Sequence, residues 1–254
     1  MSRQSTIKRG AEHRRSLGQP DDGPELKAPS YQNYVDEFYH GTIGIRNVLS
    51  MEDRLIPALT AVCYRGAERA TRRLTGTALE NNLAPRAIVE IFVQSILYSG
   101  LPRAEEAIEI ANAVFVERGI ELPEDPPDNR TVNDLDVEAA RVMETLHGAR
   151  QSNGYDSPDN PVTFALYQGA VRHGYGNLWV RRGLDLRQRM ICAIAGFTVL
   201  GLHNSLLKFS ISARNVGLTN EEIAEAAIQT APWNSLPVAL TALTIISEAQ
   251  AEIG

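Results

Sequence analysis

The chain has 254 residues, 43% of them hydrophobic and 22% charged, with a formal net charge of -6. This is an ordinary globular composition, long enough to bury a sizeable core as one domain or as two units. The acidic balance, and an aromatic content of 6% that nowhere interleaves with a basic stripe, argue against broad nucleic-acid binding.

The first twenty residues are polar, and their stretch 7–18 reads as a helix. Its Lys8, Arg9, Arg14 and Arg15 fit a solvated face better than a nucleic-acid arm. A helix is predicted over 84–98, where Pro85 suits a first turn and Ile88, Ile91, Phe92, Ser95 and Ile96 follow at helical spacing. A second amphipathic run, from Ala104 through Ala107, Ile108, Ala111 and Val114 to Phe115, ends near Gly119. The Pro- and Asp-rich stretch that follows reads as a linker. Beyond it a helix is predicted over 136–148, then a polar stretch reaching about Asn160. The apolar run 191–202 is too short to cross a bilayer and reads as a helix buried in protein. Thr219 with Glu222 forms a capping box for the next helix, and Val238, Ala242, Leu243, Ile246 and Ala249 mark the last. Nothing alternates with period two over a comparable length, so no sheet is expected. Cys63 and Cys192 make neither a disulfide framework nor a metal cluster. With no leader visible, a reducing cytoplasm is the expected setting, without membrane segment, metal or cofactor.

The chain repeats itself. LSMEDR at 49–54 returns as LDLRQR at 184–189, and SGLP at 99–102 as NSLP at 234–237. At the same offset of 135, Glu90 matches Glu225, Gln94 matches Gln229 and Gly41 matches Gly176. The expected architecture is all-α: two tandem units, residues 1–120 (core 31–118) and 136–254, joined by a linker at 121–135 and packed as one pseudo-symmetric body.

The second copy carries Gly176, Trp179, Gly183, Leu184 and Arg189, then Glu225, Trp233 and Pro237; the first keeps Arg54, Glu90, Tyr98, Gly100 and Pro102. Over roughly 31–118 and 136–254 this resembles the carboxymuconolactone decarboxylase family, which includes the AhpD-like alkylhydroperoxidases. Arg182 stands where that family has a proline. The resemblance implies a helical, usually homo-oligomeric fold with sites where helices of neighbouring units meet. The peroxidase branch needs a glutamate, a Cys-x-x-Cys pair and histidines for its thiolate relay. Those positions map to Met190, Leu202, Ser205, Asn204 and Phe209, and in the first copy to Leu55, Ala67, Ala70, Arg69 and Leu74. A dithiol peroxidase is therefore disfavoured, and Cys63 and Cys192 read as structural thiols.

The decarboxylase branch must hold a carboxylate, stabilise a dienolate and deliver one proton to carbon. The family's histidine for that last task maps to Phe209. His203 is the surviving acid/base candidate on the same helix, beside Asn204 as an oxygen ligand and Lys208 as a carboxylate anchor. The bland alternatives are a helix-end histidine, a helix cap and a surface lysine. Arg189 and Glu225 recur as Arg54 and Glu90. They either tie helices together as an ion pair or line a pocket, the arginine gripping a carboxylate and the glutamate acting as base. Trp179 and Trp233 would wall an apolar pocket, with Tyr175 or His173 donating a proton across it; core packing is the alternative. The favoured reading is a cofactor-independent lyase or isomerase acting on a small carboxylated, lactone-like or enolisable molecule. The other is a catalytically degenerate member that binds a small ligand or serves as an oligomeric structural protein.

Overall fold

A computed structural model of the chain describes residues 2–19, 28–150 and 161–253. Every regular element among them is helical. The first unit contains α1 (Arg3–Ser16), α2 (Tyr31–Val35), α3 (Met51–Arg65), α4 (Glu68–Glu80), α5 (Pro85–Ser99) and α6 (Leu101–Glu117). The second contains α7 (Val132–His147), α8 (Phe164–Gly169), α9 (Leu186–Leu200), α10 (His203–Ser212), α11 (Asn220–Ile228) and α12 (Leu236–Ile253). In each unit the second helix runs on into a wider π-helical segment, Asp36–Gly44 in the first and Ala170–Tyr175 in the second. No helix among the described residues is long and apolar enough to cross a membrane.

Repeated residues mark repeated helix starts. Ser50 accepts from the Asp53 N–H at the start of α3, and Asp185 accepts from the Gln188 N–H at the start of α9. Each side chain satisfies one of the donors that a first turn leaves over. Both helices stop at a glycine in the left-handed region, Gly66 (φ 60°) and Gly201 (φ 66°). Between those stops α3 and α9 pack on each other and carry the centre of the core: Leu55, Ile56, Leu59 and Val62 against Met190, Ile191, Ile194 and Phe197. The two units thus form one pseudo-symmetric body around a shared core.

Gly41 and Gly176 recur because helix backbones meet there. A Cβ on Gly176 would lie 2.1 Å from the Leu135 carbonyl oxygen of α7, and one on Gly41 would lie 2.6 Å from the Thr6 carbonyl oxygen of α1. Each π-helical segment is thereby pressed onto the first helix of its own unit.

Two expectations are corrected. The helix predicted from residue 136 starts at Val132, because Thr131 and Asp134 close a capping box there. The linker is tied down as well: Arg130 donates to the Gly176 carbonyl at 2.9 Å, and Arg86 pairs with Asp125 at 2.5 Å. The basic cluster of α1 is not wholly a solvated face. Arg14 is buried against Asp36 at 2.7 Å and Arg9 donates to the Gly41 carbonyl at 3.0 Å, while Lys8 and Arg15 face water. Most of the polar stretch expected to reach Asn160 lies outside the described residues.

Candidate functional site

The recurring Arg, Glu and Gln residues form two braces, and each brace joins the units. Glu90 on α5, fully buried, receives Arg189 Nη2 from α9 at 3.0 Å, Arg181 Nη2 at 2.9 Å and Arg86 Nε at 3.1 Å. Gln94 donates to the Arg189 carbonyl at 2.8 Å and accepts from Arg189 Nη1 at 3.2 Å. In the other brace Glu225 on α11 receives Arg46 Nε at 2.7 Å and Gln229 Nε2 at 2.8 Å. Arg54, the counterpart of Arg189, donates instead to the carbonyls of Gly44 and Arg46. Arg189 and Glu225 therefore do not pair with each other; each finds its partner in the opposite unit. Both are completely buried, and neither lines a cavity described below.

A cavity of about 240 Å³ opens in the second unit. The π-helical segment gives it Gly174 and Tyr175, the turn after it gives Trp179, and α9 gives Phe197. From α10 come Ser205, Lys208 and Phe209, which at i, i+3 and i+4 share one face of the helix. Leu97 and Tyr98 reach in from α5, so the first unit closes one wall. The aromatic walls interlock. Phe197 and Phe209 meet edge to face with centroids 4.9 Å apart, Tyr98 and Phe197 at 4.8 Å, and Tyr175 stacks on Trp179 at 5.9 Å. Among the described lining residues Lys208 is the only cation. A flat, largely apolar molecule with one anionic group suits such a lining.

Of the residues singled out in the sequence, the structure brings Tyr175, Trp179 and Lys208 together at this cavity. His203 and Asn204 do not reach it. They open α10 on the side away from Ser205 and Phe209 and are exposed. His173 is exposed as well, its place in the π-helical segment turning it outward from Gly174. Trp233 belongs to a different cluster, edge to face with Tyr39 at 4.7 Å and with the Arg73 guanidinium 5.7 Å above its ring. The two tryptophans therefore do not wall one pocket.

That second cluster is the first unit's version of the same place. At the repeat offset Tyr39, His40, Leu74, Arg73 and Trp233 correspond to Gly174, Tyr175, Phe209, Lys208 and Tyr98. Where the second unit has glycine and space, the first has the phenol ring of Tyr39, its pKa raised above the ordinary range by burial. His40 is 1% exposed, and burial, aided by the nearby His13, pushes its pKa down to about 3.

His147 was missed by sequence reasoning. It ends α7, is 3% exposed, and lies with Nδ1 2.7 Å from Ser212 Oγ and Nε2 3.1 Å from Tyr175 Oη. One signal could have found it. His13 and His147 are 134 residues apart, one short of the repeat offset, and each ends beside the position shared by His40 and Tyr175.

Other candidates offer less chemistry. A shallower cleft of about 230 Å³ is lined by Arg72, Arg118, Glu117 and Glu80, which already pair as Arg72–Glu117 and Arg118–Glu80. Both cysteines are buried, and desolvation pushes the Cys63 thiol up to about 11 and the Cys192 thiol to about 12. Neither supplies the thiolate that peroxide reduction needs.

The carboxymuconolactone decarboxylase family model matches residues 29–113 and again 165–248, together more than half of the chain. The chain therefore belongs to the carboxymuconolactone decarboxylase family, with two tandem family regions. A 90-residue stretch is 26% identical to the 4-carboxymuconolactone decarboxylase of Acinetobacter baylyi (strain ATCC 33305 / BD413 / ADP1). It covers 35% of this chain and 67% of that protein. Similarity at the level of the family supports a lyase- or isomerase-type function.

Proposed function

We propose that the protein is a cofactor-independent lyase or isomerase acting on a small carboxylated, lactone-like or enolisable molecule held in the second-unit cavity. One observation carries this reading: the cavity joins an acid/base side chain, Tyr175, and a cation, Lys208, within aromatic walls, whereas Tyr39 fills the matching place in the first unit. Lys208 neutralises the substrate carboxylate or the enolate that forms from it, and Tyr175 exchanges the proton. Trp179, Phe197 and Phe209 hold the flat body of the molecule and keep water from the reacting carbon. Arg189 and Glu225 hold the scaffold and take no part in the chemistry.

The experiment is proton NMR of the purified protein with two butenolides. One is 4-carboxymuconolactone, a dicarboxylate and the substrate named for the Acinetobacter relative. The other is (5-oxo-2,5-dihydrofuran-2-yl)acetate, which carries one carboxylate. Turnover of either, reduced at least tenfold by Lys208→Met or Tyr175→Phe, is the expected result, with the monocarboxylate preferred. Ligand line broadening without turnover would favour a binding protein. Neither effect would remove the proposal.

A further inference from the structure

Behind the cavity wall lies a hydrogen-bonded chain: Ser212 Oγ, His147 Nδ1, His147 Nε2, Tyr175 Oη, at 2.7 and 3.1 Å. Its central member, His147 on α7, lies between the two regions matched by the family, whereas Tyr175 and Ser212 lie within the second. We propose that His147, held between Ser212 and Tyr175, is a proton relay behind Tyr175, so that Tyr175 Oη exchanges a proton with a carbon of the molecule in the cavity. This rests on the reading of the cavity as the reaction site.

Ser212 is 2% exposed, and its hydroxyl can accept an Nδ1–H; the relay uses that tautomer, in which the Nε2 lone pair faces the Tyr175 O–H. The imidazole cannot swing away. Phe209 meets it edge to face at 5.0 Å and Tyr175 at 5.7 Å. Phe209 itself lines the cavity, so the imidazole sits one layer behind that wall and reaches the cavity through Tyr175. Among the described residues the first unit has no such chain. Its His13 and His40 rings lie 5.8 Å apart, His13 Nε2 meets the Gly44 carbonyl, and neither Nδ1 has a hydrogen-bond partner.

The proton balance is closed. Tyr175 Oη takes the proton from an acidic C–H of the bound molecule as its own proton passes to His147 Nε2. The C–H electron pair becomes an enolate beside Lys208, Tyr175 remains a neutral phenol and His147 becomes an imidazolium. Return of a proton from Oη to a different carbon of the enolate, with Nε2 reprotonating Oη, regenerates the neutral imidazole. The product is a double-bond isomer, and no external acid or base is consumed. Because the inner end of the chain is buried at Ser212, a proton that enters through Tyr175 leaves through it, which fits an isomerisation.

His147→Gln tests the relay, because glutamine can still accept from Tyr175 and donate to Ser212 but is not basic. With (5-oxo-2,5-dihydrofuran-2-yl)acetate, the variant should keep the wild-type Tm and a KM within about twofold. Its kcat should fall about 10²-fold or more and lose its dependence on pH. Wild-type kcat in this variant would overturn the relay. If the wild-type protein does not turn the probe over, the functional reading fails on that probe, and ¹⁵N NMR of histidine-labelled protein decides the relay. The expected spectrum is a neutral Nδ1–H tautomer whose Nε2 resonance moves in Tyr175→Phe. An Nε2–H tautomer, or a resonance indifferent to Tyr175, would overturn it.

Discussion

At Gly176 a hydrogen atom is the only side chain the fold admits, since a methyl group would lie 2.1 Å from a backbone oxygen of α7. Gly176→Ala should therefore destabilise the protein by at least about 2 kcal/mol, seen as a lower urea midpoint with an unchanged m-value. The recurrence of this glycine was legible in the sequence; its reason, a close approach of two helices, was not. His40 carries a pH dependence. Its pKa is about 3 in the folded protein against an ordinary 6.5, so the unfolded chain binds more protons between those values. Stability is full above about pH 6.5 and falls as the pH drops toward 3, by a few kcal/mol in all. Thermal melts across that range should show the wild type losing more stability toward acid pH than His40→Gln, which lacks this titrating group. His203 teaches the opposite lesson. It had the right chemistry on the right helix, but a 3.6-residue period carries it away from the face that Ser205, Lys208 and Phe209 present to the cavity.

Helix starts and stops were legible because capping is local. Thr219 with Glu222 and the first-turn Pro85 stand as read, and Thr131 with Asp134 sets a start that the apolar pattern alone put four residues late. Which helix pairs with which was not legible. Arg189 meets Glu90, 99 residues away, and Glu225 meets Arg46, 179 residues away; a repeat offset cannot distinguish a tie within a unit from one between units. The braces differ in how water can compensate their loss. Glu90 faces three guanidiniums, one of them fully buried, whereas Arg46 is 40% exposed. Glu90→Gln should cost about 3 to 5 kcal/mol and Glu225→Gln about 2 kcal/mol, compared by urea unfolding. Equal costs would mean that the two braces contribute alike despite their different exposure.

Duplication gave the whole molecule two copies of one helical plan, and the copies have parted at one place. Gly174 leaves a cavity where Tyr39 fills the first unit, and a Cβ on Gly174 would meet only Leu97, at 3.8 Å. That divergence was visible in the sequence as the absence of a first-copy tryptophan at the Trp179 position, although the roles of Gly174 and His147 needed coordinates. It also supplies a decisive variant. Gly174→Tyr copies the first unit into the second and should close the cavity without harming the core. The most direct measurement is proton NMR of (5-oxo-2,5-dihydrofuran-2-yl)acetate with the wild-type protein and with Gly174→Tyr. The account predicts broadening and turnover of the probe by the wild type, and neither by the variant, at an equal or higher Tm. A folded Gly174→Tyr protein that binds and converts the probe as the wild type does would contradict it.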